Sequence, residues 1–234
     1  MLDYVIKNTT SINFGICCSL GYLYSIIFLL NYMKKKDYKY ELKTILIYYN
    51  LVQILLNSYI IYGTYYIISI PNIFAINIPY NDSLKYYVYL HYLSKYLDYF
   101  DTYFIIFKRK EKEQMSFLHV YHHSTISLLW AIIVNNGHGN GYVTYCAFIN
   151  SLIHLIMYSH YLVTSFGYIN PLKKFVTMSQ IGQFYSCIAH SVLVVLYENI
   201  VPKSYALLEL IYHTSLIILF TNFYKKTYNI NKLK

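Results

Sequence analysis

Seven runs of apolar residues constrain this chain more than any other feature. They cover roughly residues 11–33, 42–70, 84–107, 117–134, 140–164, 172–197 and 204–224. A helix rises 1.5 Å per residue, so about 20 residues cross a bilayer's hydrocarbon core. Inside lipid the backbone must satisfy its own hydrogen bonds, which a helix does. The runs predict an all-α membrane protein with seven transmembrane helices in a single domain over residues 1–234. Composition agrees: 57% of residues are hydrophobic and 12% charged, against about a quarter charged in soluble domains. Pro71, Pro79, Pro171 and Pro202 all fall in or beside the expected loops, where helix breakers belong. The first run is long enough to span and no small-residue cleavage site follows it, so no cleavable signal peptide is expected.

Charge sets the expected orientation. Fifteen of the 19 Lys and Arg residues fall on one side. They are Lys34, Lys35, Lys36, Lys39 and Lys43; Lys108, Arg109, Lys110 and Lys112; Lys173 and Lys174; and Lys225, Lys226, Lys232 and Lys234. Lys7, Lys85 and Lys203 fall on the other side. The positive-inside rule puts the first group and the C-terminus in the cytosol, and the N-terminus across the membrane. A net charge of +9 arranged this way reports topology and no nucleic-acid partner. Thirty-two tyrosines with many Ile, Asn and Lys fit an A+T-rich codon bias, so single Tyr and Asn residues carry little. The four cysteines form no CxxC pair or disulfide framework.

Polar residues inside apolar runs are costly and mark function. Lys95, Asp98 and Thr102 share one face of the third run, with Asp101 a turn beyond Asp98. His119, His122 and His123 form one stripe of the fourth, at i, i+3 and i+4. Asn150, His154, Met157, Tyr158 and Tyr161 form a continuous face of the fifth, and Thr177, Gln180 and Phe184 one of the sixth, with Gln183 on its edge. At 1.5 Å per residue, Asp101 lies about 9 Å from the cytosolic end of its helix, the three histidines about 4–10 Å, His154 about 15 Å and the two glutamines about 12–17 Å. Unrelated polar residues would scatter in depth. Four helices placing theirs in the cytosolic half predict one polar active site there.

Each group has a plainer reading. Lys95 and Asp98 at i, i+3 form a structural ion pair as readily as a site. Gln180 and Gln183 serve equally as helix–helix glue. His190 and His213 lie deeper and read as core or as the wall of a tail channel. Two other classes of function use similar residues. A di-iron desaturase or hydroxylase needs several histidine boxes, and this chain has one. A seven-span transporter or receptor would use depth-matched ionisable residues for an ion path, and inverted repeats are not evident.

In order along the chain, KYLDYFDT (Lys95–Thr102), SFLHVYHH (Ser116–His123), NSLIHLIMYSHY (Asn150–Tyr161) and TMSQIGQF (Thr177–Phe184) resemble the four motifs of the very-long-chain fatty acid elongase family: KxxExxDT, HxxHH, HxxMYxYY and TxxQxxQF. Asp98 stands where that family has Glu, and His160 where it has the first Tyr of a pair. The resemblance implies condensation of an acyl-CoA with malonyl-CoA to give 3-ketoacyl-CoA, CO2 and CoA. It implies an endoplasmic reticulum membrane, with the N-terminus lumenal. Its implied partners are the bilayer and the reductase, dehydratase and enoyl reductase of the elongation cycle. Homo-oligomerisation, chain length and saturation stay open. Lys232 supplies only part of a dilysine retrieval signal.

The residues suit that reaction without a metal or other cofactor. Condensation needs an acyl acceptor and stabilisation of the enolate left by decarboxylation. No cysteine lies within the four motifs, and Cys187, a turn past Gln183, is the sole plausible thiol. A neutral buried imidazole is a better acceptor. The expected catalytic set is His122 as acceptor, His119 or His123 held by Asp101, and His154 as acid–base group or oxyanion donor. Lys95, Asp98, Thr102, Asn150, Tyr158, Tyr161, Thr177, Gln180 and Gln183 would line the substrate site.

Overall fold

A computed structural model describes residues 2–68, 72–135, 139–169 and 171–228 of the 234-residue chain. Pro71, His138, Lys232 and Lys234 lie outside the described residues. Among those described, all regular structure is helical. A short α1 (Leu2–Thr9) precedes α2 (Ile12–Lys34) and α3 (Lys43–Ile68). After a 3₁₀ turn (Asn72–Phe74) come α4 (Asp82–Leu97), α5 (Tyr99–Phe107) and the single turn α6 (Glu111–Gln114). The chain continues through α7 (Phe117–Asn135), α8 (Val143–Ser165), α9 (Lys173–Tyr197) and α10 (Ser204–Tyr228).

Small polar residues start three of these helices, each meeting an N–H that the first turn leaves unpaired. Ser11 Oγ accepts from the Phe14 N–H at 3.2 Å and opens α2. Asn81 Oδ1 accepts from Ser83 and Leu84 at 2.9 and 3.2 Å and opens α4. Ser116 Oγ accepts from His119 at 3.2 Å and opens α7.

Six single helices (α2, α3, α7, α8, α9 and α10) are long and apolar enough to cross a membrane among the described residues. The third predicted run differs from expectation. It is α4 and α5, of 16 and 9 residues, joined at Asp98. The Asp98 N–H still bonds the Ser94 carbonyl, but the Asp101 N–H bonds back to the Asp98 carbonyl at 3.2 Å. With ψ of −17° at Asp98, this is one tightened 3₁₀-like turn, a device that marks functional positions within helices.

The packing is inside-out compared with a soluble protein. Leu20, Phe28 and Leu55 point outward at 61%, 57% and 68% exposure. Gln53, Asn57, Thr64, Lys95, Asp98 and Thr102 are buried. The long apolar helices and this surface make the chain a multi-pass membrane protein. Helix α4 packs against α3, α7 and α8; α7 meets α10, α10 meets α9, α9 meets α8, and α8 meets α3. Helix α2 flanks this ring against α7 and α5. The approach of α2 to α7 is close because Gly15 has no side chain: a Cβ there would lie 2.6 Å from Ala131 Cβ. Small residues at such crossings let backbones meet.

Bonds between loops define two ends. At the basic end, Arg109 Nη2 donates to the Met33 carbonyl at 2.8 Å and the Tyr40 N–H to the Phe107 carbonyl at 3.0 Å. At the opposite end, Glu198 follows α9 and is fully buried. Its carboxylate accepts from the backbone N–H groups of Asn77, Asn199, Ile200 and Val201 at 2.7 to 3.1 Å. Burial alone would raise its pKa, but these four donors outweigh burial and hold it below the usual carboxylate value. A carboxyl depressed on folding stabilises the fold above its unfolded pKa and loses that contribution as pH falls through the folded value. Thermal unfolding in detergent should therefore show a loss of stability on acidification that Glu198→Gln abolishes. A Glu198→Gln curve parallel to wild type would remove this carboxylate as the cause.

Candidate active site

Lys95 sits in the last turn of α4, at 1% exposure. An ammonium at that depth needs partners. Its Nζ donates to Asn150 Oδ1 at 2.8 Å and to Asp98 Oδ2 at 3.4 Å. The turn at Asp98 aims its carboxylate into the bundle, where it meets α3 and α8. Asp98 Oδ1 accepts from Gln53 Nε2 of α3 and from the Tyr158 hydroxyl of α8, both at 3.0 Å. Asp98 Oδ2 lies 3.7 Å from His154 Nδ1. The Tyr158 hydroxyl also lies 2.7 Å from Asp101 Oδ2, so its one proton is shared between the two carboxylates, and Gln53 Nε2 reaches Tyr49 at 3.0 Å.

The histidine stripe occupies the first turns of α7. His119 Nε2 is 2.7 Å from Thr102 Oγ1, which also contacts the Tyr22 hydroxyl at 2.8 Å. The His119 and His123 rings are 4.4 Å apart, and those of His122 and His123 5.6 Å. Tyr212 of α10 points its hydroxyl at His122 Nδ1, 3.4 Å away, and Thr125 steadies that hydroxyl at 3.1 Å. A narrow internal cavity starts beside His122, Asn150 and Gln183 and passes Trp130 and Phe184 to Cys146, Glu209 and His213.

The fold therefore brings together Lys95, Asp98, Asp101, Asn150, His154 and Tyr158 in one network. His122, Asn150 and Gln183 share a cavity wall. Thr102 and His119 form a second pair beside His123. Three roles differ from the sequence reading. Asp101 holds the Tyr158 hydroxyl, while Thr102 meets His119, and Asp98 is the carboxylate that faces an imidazole. Gln180 contacts Met157 Sδ at 3.4 Å at the margin of the network. Thr177 stands apart from it, and Tyr161 touches it only through its ring. Thr177 bonds the Lys173 carbonyl and Tyr228, and Tyr161 is 39% exposed with its ring edge-on to Tyr158. His160, at the position that departs from the family motif, is buried.

The sequence reading missed Tyr22, Tyr49, Gln53 and Tyr212. For α3 the signal was present: Asn50, Gln53 and Asn57, at i, i+3 and i+7, mark one buried face of an otherwise apolar helix. The tyrosines carried no such signal among 32. The cavity adds one residue to the expectation. Its lining includes His213, which the sequence places in the core or on the wall of a tail channel, and also the carboxyl group of Glu209, which the sequence reading did not include.

Comparison with known proteins now places the chain. The model of the ELO (GNS1/SUR4) family matches residues 8–234. The chain belongs to this family. It is 41% identical to "Fatty acid elongase 5" of Leishmania major over 203 residues, which cover 83% of this chain and 77% of that protein. It is 39% identical to "Fatty acid elongase 4" of Trypanosoma brucei brucei over 82% of this chain and 75% of the relative. "Very long chain fatty acid elongase 4" of Homo sapiens is 35% identical over 69% of this chain and 54% of its own length.

Proposed function

We propose that this chain is a fatty acid elongase that condenses a long-chain acyl-CoA with malonyl-CoA to give 3-ketoacyl-CoA, CO2 and CoA. It acts as a 3-oxoacyl-CoA synthase, an acyltransferase, with no metal or other cofactor in the chemistry. The observation that carries this reading is the convergence of His122, Asn150 and Gln183 on one cavity, beside a buried Lys95–Asp98–His154 cluster. Elongase relatives at 41% and 39% identity support the substrate class.

The reaction runs in two halves. With the Tyr212 hydroxyl at Nδ1, His122 Nε2 is the atom left to attack the acyl thioester. The C–S bond breaks, CoA leaves as the thiol with the imidazole proton, and an acyl-imidazole remains. Malonyl-CoA then loses CO2, its enolate carbon attacks the acyl carbonyl and breaks the C–N bond, and the departing imidazolate takes up one proton from solvent to restore neutral His122. His154, with the Asp98 carboxylate 3.7 Å from its Nδ1, stabilises the enolate oxygen. Asn150 and Gln183 orient the thioester carbonyls. Lys95, shared between Asn150 and Asp98, fixes both groups in one geometry.

In the membrane, α4 and α5 together supply a seventh crossing, and the basic end faces the cytosol with the N-terminus lumenal in the endoplasmic reticulum. The chain forms one domain, with lipid and the other enzymes of the elongation cycle as neighbours. A cleft at the basic end is lined by Lys39, Lys43, Lys108 and Lys110, with Ser165 and the single acidic residue Glu41. Tyr49 and Asp101 lie about 9 to 11 Å below Lys43 and Lys108, by 1.5 Å per residue. The cleft is suited to the phosphates of CoA. Lys43→Ala and Lys108→Ala should each raise KM for malonyl-CoA by about tenfold, the equivalent of about 1.4 kcal/mol, with kcat nearly unchanged. An unchanged KM in both would move the phosphate site elsewhere.

The founding test is direct. Membranes carrying the protein are incubated with radiolabelled malonyl-CoA and a panel of acyl-CoAs, without NADPH. Labelled 3-ketoacyl product is the expected result. No product from any acyl-CoA, with the protein inserted and folded, would overturn the proposal and bring iron content and transport assays forward.

A further inference from the structure

A second buried polar cluster lies at the opposite end of the bundle from the basic loops. Cys146 is in the first turn of α8, His190 is seven residues before the end of α9, and Glu209 is five residues into α10. At 1.5 Å per residue these positions are about 5, 11 and 8 Å from that end, so three helices place them at one depth. All three side chains are buried, at 4%, 1% and 1% exposure. One ligand atom from each lies within 4.8 Å of the others. Cys146 Sγ is 3.6 Å from Glu209 Oε2. Cys187 stands beside Cys146 and also beside His213.

Packing alone does not account for this cluster. Glu209 Oε1 and His190 Nδ1 are buried without a hydrogen-bond partner, which ordinarily costs about 1–3 kcal/mol per group. His190 carries the clearest signal. Its Nε2 lies 2.7 Å from the Phe74 carbonyl oxygen, and a carbonyl can only accept. Nε2 therefore bears the proton, which leaves the buried, unpartnered Nδ1 lone pair as the ring atom open to a ligand. A carbonyl that fixes the tautomer of a histidine is the usual outer partner of a metal ligand. The ring is clamped as well, stacked on Tyr145 at 4.2 Å between centroids.

We infer that Cys146, His190 and Glu209 bind a divalent zinc ion that pins α8, α9 and α10 together, with the fourth position open to Cys187 or His213. Thiolate, imidazole and carboxylate are the donor set zinc takes in tetrahedral sites. Binding releases the thiol and carboxyl protons to solvent. One thiolate and one carboxylate balance the 2+ charge, so the site is neutral in a low-dielectric interior. This ion is structural and lies beyond the condensing chemistry, although its site closes the far end of the cavity that begins at His122.

The test uses full-length protein purified in detergent from zinc-supplemented cells. Metal analysis should find about one zinc per chain, as for a structural site. Glu209→Gln and Cys146→Ser should each lower that content severalfold, and His122→Ala should leave it intact. Cobalt exchanged into wild-type protein should show a thiolate-to-cobalt charge-transfer band and the strong visible bands of a tetrahedral ion. This spectrum requires no variant to fold. Wild-type protein with neither zinc nor a cobalt–thiolate spectrum would overturn the inference. So would metal that is lost with His122→Ala and kept in Glu209→Gln, which would place it at the histidine stripe. Neither outcome depends on condensing activity.

Discussion

His122→Ala is expected to lower 3-ketoacyl-CoA formation by at least about a thousandfold, the scale of losing a covalent nucleophile. It should also abolish the acyl-enzyme formed from labelled acyl-CoA alone. The expectation rests on place and partner. His122 faces the cavity, and the Tyr212 hydroxyl is 3.4 Å from its Nδ1. His119 Nε2 is engaged by Thr102 and has no share in the cavity wall. His119→Ala should therefore lower turnover less and still trap the acyl group. Tyr212→Phe should slow acylation while acyl-enzyme still accumulates. A labelled acyl-enzyme that survives His122→Ala would remove this residue as acceptor. His154 would then be the next histidine to test, since it is buried and its Nδ1 faces Asp98 at 3.7 Å.

The fold was legible where hydrophobicity decides it and not where side-chain chemistry does. Six of the seven apolar runs became single helices because lipid leaves their backbones no other way to satisfy themselves. The break at Asp98 was not readable. Lys95, Asp98, Asp101 and Thr102 are spaced for one continuous helical face, and the tight turn places Asp98 where bonds from Gln53 and Tyr158 reach it. Those partners are 45 and 60 residues away in sequence. The site was legible through residues that are expensive in lipid. Lys95, the histidines and Gln183 declare themselves by cost. Tyr22, Tyr49 and Tyr212 cost little, and a chain rich in tyrosine hides the few that do chemistry; Tyr158 showed only because it shares a face with Asn150 and His154. Glu209 is the instructive miss. A carboxylate within the apolar α10 carried the same signal as Lys95, but it belongs to no recognisable motif. His190 looked like a core residue because the sequence cannot show which ring nitrogen a carbonyl holds.

Charge at the centre of the network provides the second large effect. Lys95 and Asp98 are 1% and 2% exposed and 3.4 Å apart. Removing one member of such a pair leaves a buried charge alone and costs about 3–5 kcal/mol, a large share of the roughly 5–15 kcal/mol that holds a domain together. Asp98→Asn and Lys95→Met should each lower the unfolding temperature in detergent sharply and abolish product formation. The double variant Lys95→Met/Asp98→Leu separates two explanations for that loss. Replacing a buried ion pair with apolar groups of similar volume is often neutral or stabilising, so the double variant should recover most of the lost stability. If the pair served only the fold, activity would return with it. The structure argues otherwise, because Asp98 Oδ2 is 3.7 Å from His154 Nδ1 and Lys95 donates to Asn150 Oδ1. Removing both charges frees an imidazole and an amide that the proposed chemistry needs in fixed positions. A stable but inactive double variant is thus the expected result, read by unfolding temperature and product assay on the same preparation. Recovery of both would reduce the pair to a structural strut and leave His154 to act without a carboxylate behind it.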